Sequence, residues 1–252
     1  MTLFQKFAWV IPVESYVQSY ERSKISPKYE YITPSQKKDV ISSASNVALC
    51  YYLLGNGVEA ARFGRETVSA VLEYFYGSWK QRVTTDLKTV DPAWWRMHTA
   101  WIGNFRDGLC WASAMRDWDS ALRIAEYPAT ENNAANFGYT RQDKCAYLAL
   151  AAYIRGQSRE ESSEENLSLA ESGKKQKPKF LAEIVRALNA KDSPRFQQSL
   201  EAYLNYFKQR EHKKKELDNL LSIDGTIFFH IGKREGLDFQ MATEMQEQVI
   251  SL

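Results

Sequence analysis

Histidine is the side chain best suited to moving protons near neutral pH, and this 252-residue sequence holds three, His98, His212 and His230. His212 lies in the run Lys208-Gln209-Arg210-Glu211-His212-Lys213-Lys214-Lys215, where the surrounding positive charge opposes its protonation. His98 sits in a tryptophan-rich segment and His230 in Ile227-Phe228-Phe229-His230-Ile231, apolar settings that suit a hydrogen-bonded core histidine. No two histidines have HxxxH or HExxH spacing, and no Cys/His cluster suits zinc. Carboxylates pair at Glu160-Glu161 and Glu164-Glu165, but no EF-hand or Glu-x-x-His pattern makes metal ligands of them. Gly55-Asn56-Gly57 lacks the Lys-Ser/Thr and the preceding strand of a phosphate loop, and reads as a helix cap. The sequence therefore predicts a protein that is not an enzyme, with no catalytic residue, cofactor or metal site. An active site among helices would need His98 and His230 to line one polar pocket with a carboxylate.

The elements that carry these residues are predicted to be helices throughout. Thr33 and Pro34 form a cap and a first-turn proline, a start signal for a helix with Val40, Ala44, Val47, Ala48 and Tyr51 on one stripe. Gly55-Asn56-Gly57 ends it, and Ala61, Val68, Val71, Leu72 and Phe75 align on the next helix. The same helix, polar turn, helix pattern recurs three times. Trp101, Phe105, Leu109 and Ala112 precede Arg116-Asp117, with Trp118, Ala121, Leu122 and Ala125 beyond. Cys145, Leu148, Ala149 and Ala152 precede Arg155-Gly156 and a Glu/Ser-rich helix. Leu181, Ile184, Val185 and Leu188 precede the turn at Asp192-Ser193-Pro194, followed by Phe196, Leu200, Tyr203, Leu204 and Phe207. The turns are unevenly spaced, and the Trp-Leu-Gly-Tyr signature of a tetratricopeptide repeat, whose period is about 34 residues, is missing.

The expected fold is all-α: a stack of antiparallel helical hairpins forming a divergent, repeat-like (TPR-like) bundle. It is expected to be one elongated domain over 1–252. Within it the pattern gives an irregular N-terminal segment at 1–33, a first hairpin at 34–79 and a connector at 80–99. Middle helices follow at 100–157, an acidic helix and basic loop at 158–178, and C-terminal helices at 179–252.

Charge and composition narrow the function. Thirty-three basic and 31 acidic side chains leave a net charge of +2, which disfavours a nucleic-acid binder driven by bulk charge. Cys50, Cys110 and Cys145 are odd in number and widely spaced, as expected of reduced core thiols. No run approaches the roughly 20 apolar residues that span a bilayer, and the Phe7 to Val13 run is broken by Pro12. A cytoplasmic protein without membrane contact is expected. The features left over suit protein binding: the exposed-type carboxylates Glu160, Glu161, Glu164 and Glu165, and the adjacent Trp94 and Trp95, which point in different directions on a helix.

The stretch "RFQQSLEAYLNYFKQREHKKKELDNLLSIDGTIFFHIGKREGL" resembles the C-terminal signature of the immunity protein 49 family of bacterial polymorphic-toxin systems. In that family an aromatic-led helix with a basic, polar end precedes a small apolar helix with an embedded glycine. Phe196, Leu200, Leu204, Lys208, Gly225 and Gly236 occupy those positions here. "TAWIGNFRDGLCWASAMRDWDSALRIAEYP" is similar to the family's helix, charged turn and helix, at Trp101, Arg116-Asp117, Leu122 and Pro128. The sequence departs from the family at Phe228, Phe229 and His230, where small apolar residues are common. The resemblance implies a cytoplasmic antitoxin that binds a cognate toxin protein and blocks it without chemistry. Such toxins are often nucleases, whose basic clefts favour acidic partners, which points to the glutamates at 160–165. The alternative is a helical-repeat scaffold that binds a peptide or cellular protein in a groove.

Overall fold

A computed structural model of the protein describes residues 13–24, 34–77, 101–130, 140–210 and 220–252. The helices are α1 (Val13–Lys24), α2 (Pro34–Leu53), α3 (Gly57–Tyr76), α4 (Ile102–Ala114), α5 (Trp118–Thr130) and α6 (Arg141–Ile154). They continue with α7 (Glu161–Ser172), α8 (Gln176–Ala190), α9 (Ser193–Arg210), α10 (Ile223–Arg234) and the single turn α11 (Thr243–Gln246). No strand occurs among the described residues, so the fold is all-α.

One kind of turn builds the stack. Each of five helices ends on a residue with positive φ: Gly55 (78°), Arg116 (60°), Gly156 (73°), Lys191 (52°) and Gly236 (70°). The next residue then donates its N–H to a carbonyl five positions back. These bonds are Asn56 to Tyr51 (2.9 Å), Asp117 to Ala112 (2.8 Å), Gln157 to Ala152 (2.8 Å), Asp192 to Ala187 (3.1 Å) and Leu237 to Gly232 (3.1 Å). This closure satisfies carbonyls that a helix end leaves without partners. At three of the turns the same residue caps the following helix. Asn56, Asp117 and Asp192 accept from the N–H groups of Glu59 (3.2 Å), Ser120 (3.1 Å) and Arg195 (3.0 Å). Chain reversal at these three turns therefore takes only two or three residues, which brings consecutive helices together as antiparallel pairs.

The four hairpins expected from the sequence form: α2/α3, α4/α5, α6/α7 and α8/α9. First helices pack on one another, α2 on α4 and α6 on α8, and α3 packs on α5 in the second row. Each second helix also packs on the next first helix. One buried apolar cluster runs from Tyr20 to Ile250. Phe75 and Tyr127 stack at 3.9 Å between α3 and α5, and Phe105 meets Tyr147 edge-on between α4 and α6. Trp101 and Trp111 are core, as expected, and Trp111 donates to Ser45 across to α2 (3.1 Å). All three cysteines are free and buried.

Several expectations need correction. The segment 1–33 is not irregular throughout: Val13–Lys24 is a helix that packs on α2 through the buried Tyr20. The basic loop ends sooner than expected, because Gln176 already starts α8 and Pro178 occupies its first turn, where a missing N–H costs nothing. Leu122, expected on an inner stripe, is 40% exposed, and Trp118 is half-buried under the Arg234 guanidinium (4.8 Å).

The helix α10, within the expected C-terminal helices at 179–252, packs among the others. Ile223, Thr226, Ile227, Phe228, Ile231 and Gly232 of α10 are all buried. A helix apolar on every side needs neighbours on every side. α10 packs on α4 and α9, and the chain after it runs back to α2. Ser222 donates to the Gln248 carbonyl (2.7 Å), Ile250 donates to Thr226 Oγ1 (2.9 Å), and Tyr52 of α2 donates to the Val249 carbonyl (3.2 Å).

Candidate binding face and the ionic hub behind it

The acidic segment is a well-anchored helix. Ser163, Leu167 and Ala170 of α7 are buried against its neighbours, a spacing of about one turn that leaves the opposite side to solvent. Glu160, Glu161, Glu164 and Glu165 all lie on that exposed side. Glu160 and Glu161 stand at the helix start, where negative charge offsets the dipole. Arg186 of α8 binds two α7 carboxylates, with Nε 2.8 Å from Glu171 Oε1 and Nη2 2.8 Å from Glu164 Oε1. The hydrogen bond from Arg186 holds Glu164 below its ordinary pKa. Glu164 is thus partly committed to holding α7 on α8.

Glu165 stands at the α6 edge of that exposed side. It lines an open cleft of about 590 Å³ between α6 and α7 with Ser162, Asn166, Leu169, Arg141, Lys144 and Leu148. Two cations therefore stand across from it, and the acidic face is flanked by basic residues on both sides. Trp94 and Trp95, the other expected contact residues, lie outside the described residues, as do His98 and His212. His230 is a core histidine: its Nε2 is 2.8 Å from the Ile250 carbonyl, and burial pushes its pKa down.

Sequence reasoning missed the most heavily bonded group. Asp224, in the first turn of α10, is 1% exposed. Its Oδ1 accepts from Arg106 Nε (2.9 Å) and the Tyr147 hydroxyl (2.9 Å). Its Oδ2 accepts from Arg106 Nη2 (3.0 Å) and the Tyr203 hydroxyl (3.2 Å), and lies 2.8 Å from Lys177 Nζ. These partners come from α4, α6, α9 and α8, so one carboxylate ties α10 to four helices. Burial raises the cost of its charge, but Arg106 and Lys177 outweigh it and hold the carboxyl well below the usual range. With five donors on two oxygens, Asp224 has no lone pair left to act as a base. Beside it, burial pushes the Cys110 thiol up, which keeps that sulfur protonated and unreactive. Ser222 ahead of Asp224 is a visible N-cap, its Oγ accepting from Gly225 N–H (3.0 Å). Nothing local in the sequence names Arg106 and Lys177 as the partners.

No group of three or more His, Cys, Asp or Glu side chains able to hold a metal ion occurs among the described residues. None of the described helices is long and apolar enough to cross a membrane. No protein-family model, curated protein or solved structure matches the chain.

Proposed function

We propose that the protein is an immunity protein: a cytoplasmic antitoxin that binds a cognate bacterial toxin domain, such as a nuclease effector, and neutralises it by direct contact. The observation that carries this reading is the set of exposed glutamates on α7, a helix clamped to the stack so that its charges are presented in fixed positions. A preformed acidic surface suits a basic toxin cleft, because complementary charge steers encounter at little ordering cost. The resemblance of the stretches 99–128 and 195–237 to the immunity protein 49 family supports the same reading. The partner is a protein and not a nucleic acid, in keeping with the balanced net charge.

The peptide-scaffold alternative needs an open surface along the first-row helices. α10 lies against α4, and Asp224 takes up the polar groups of Arg106, Tyr147 and Lys177 there. The antitoxin reading needs only outer faces.

The test is co-expression with the product of the adjacent open reading frame. The expected result is rescue of growth and a stoichiometric complex on purification. A neighbouring toxin that kills despite full expression of this protein would overturn the reading.

A further inference from the structure

Residues 248–252 lie along α10 as a strap. Ser222, Thr226 and His230 follow one another at four-residue spacing, so they mark one stripe of that helix. The strap follows the stripe. The Ser222 N–H donates to the Gln248 carbonyl (2.7 Å), Thr226 Oγ1 accepts from the Ile250 N–H (2.9 Å), and His230 Nε2 lies 2.8 Å from the Ile250 carbonyl. From the other side, the Tyr52 hydroxyl of α2 donates to the Val249 carbonyl (3.2 Å) and accepts from the Ser251 N–H (3.0 Å). None of these bonds belongs to a helix ladder. The strap is preceded by α11, a single turn with no buried residue, so its connection to the rest of the fold is slight.

The closure is imperfect in two places. Gln248 is 4% exposed, yet its Oε1 has no hydrogen-bond partner among the described residues, which costs stability. His230 donates through Nε2, so a second proton enters at Nδ1 and leaves a charged ring sealed beneath the strap. The neighbouring elements bring cations or neutral groups to that ring. Arg116, on the turn between α4 and α5, opposes the charge. Arg234, one turn along α10, lies over Trp118 (4.8 Å). Tyr52 of α2 and Cys110 of α4 are kept protonated by burial. α9 presents Leu204 and Phe196 to α10, and residues 248–252 carry no charged side chain. The Asp224 carboxylate, at the start of α10, is taken up by Arg106 and Lys177. Opening the strap hydrates both Gln248 and His230.

We propose that residues 248–252 open as one unit, with α11 as the hinge and His230 as a latch that acid releases. Opening bares Tyr52 and the apolar cleft at Val58 and Ala61, which Leu252 lines when the strap is closed. The antitoxin face on α7 is a different surface, so the strap holds or fails separately from the proposed function.

Hydrogen exchange of the full chain, followed by NMR and corrected for intrinsic rates, tests it. The amides of Ser222, Ile250 and Ser251 should share one opening, more frequent than that of Ile227 and Ile231 within α10. Between about pH 7.5 and about pH 5.5 this opening should become more frequent by up to about tenfold, as a ring protonating near 6.5 in the open form requires. His230→Gln keeps a donor for the Ile250 carbonyl and should abolish that rise. Tyr52→Phe, which loses the hydroxyl clamp, should make opening about tenfold more frequent at both pH values. Three amides that exchange only with the whole of α10, or each at its own rate, would overturn the proposal. So would an opening that ignores pH, a rise that survives His230→Gln, or an opening unchanged by Tyr52→Phe.

Discussion

Asp224 on α10 receives both forks of the Arg106 guanidinium from α4, Nε at 2.9 Å and Nη2 at 3.0 Å, across 118 residues of chain. The pair is buried, and a buried charge is stable only while its partner and hydrogen bonds are in place. Asp224→Asn keeps the shape and leaves Arg106 and Lys177 facing a neutral amide. Denaturant unfolding should show a loss of about 3–5 kcal/mol. The acid limb follows the same logic. The folded carboxyl lies below the ordinary value of 3.8, so its contribution is complete at neutral pH. It is lost as pH falls below 3.8 toward the folded pKa. An Asn variant as stable as the wild type, with an unchanged acid limb, would show that the hub holds nothing.

The contact between α10 and α9 depends on two glycines. A Cβ on Gly225 would come within 2.6 Å of Leu204 Cδ2 and 2.8 Å of Ser222 Oγ. One on Gly232 would lie 2.6 Å from the Phe196 ring and 2.9 Å from Phe239. Gly225→Ala and Gly232→Ala should each destabilise the fold by about 1–3 kcal/mol through overpacking. Gly55 makes the control: nothing lies within 4 Å of its would-be Cβ, and only its φ of +78° is at stake. Gly55→Ala should cost about 1–2 kcal/mol through backbone strain alone. Melting temperatures rank the three, and equal tolerance at Gly225 and Gly232 would rule out the close approach.

His230 gives the chain a second pH dependence, near neutrality. Burial lowers its pKa from 6.5, opposed by the Ile250 carbonyl and assisted by the charge of Arg116. The unfolded chain therefore binds the proton more readily. The contribution is complete above pH 6.5 and is lost as pH falls through the lower, folded value. His230→Gln should flatten this part of the stability profile while leaving the acid limb from Asp224 in place. A profile unchanged by the substitution would place the dependence elsewhere.

The hairpins were legible because their determinants are local. Residues such as Gly55-Asn56, Arg116-Asp117 and Asp192 each reverse the chain and cap the next helix, and period-3.6 stripes name the inner faces. Leu122 misled because a stripe position is buried only if a neighbour covers it. The helix at Val13–Lys24 was missed although Tyr16, Val17 and Tyr20 form a stripe of the same period, because that stripe spans barely two turns of an otherwise polar stretch. α10 was expected as a helix, but its place against the first row was not. That place depends on Asp224 meeting Arg106, Tyr147, Lys177 and Tyr203, and no short-range pattern encodes a contact across 118 residues. The glutamates of α7 were legible as an acidic surface, but not the division of labour that Arg186 imposes on them.

That division separates the four carboxylates in a binding experiment. Glu164 already shares the Arg186 guanidinium, so much of its charge is spent within the molecule. Glu160 and Glu161 face solvent at the helix start, while Glu165 looks across its cleft at Arg141 and Lys144. Rim charges act chiefly on encounter. Glu160→Lys with Glu161→Lys should therefore slow association with the toxin proposed as its partner about tenfold, with a smaller change in the dissociation rate. Raising the salt concentration should slow the wild type toward the rate of this variant, because screening removes the same attraction. Glu164→Gln should alter the association rate least of the four positions, since Arg186, which it shares with Glu171, already offsets part of its charge. Surface plasmon resonance against the toxin domain at two salt concentrations measures all of these. If Glu164→Gln proved the most damaging change, or if reversal at Glu160 and Glu161 left the rate untouched, the proposed binding face on α7 would be ruled out.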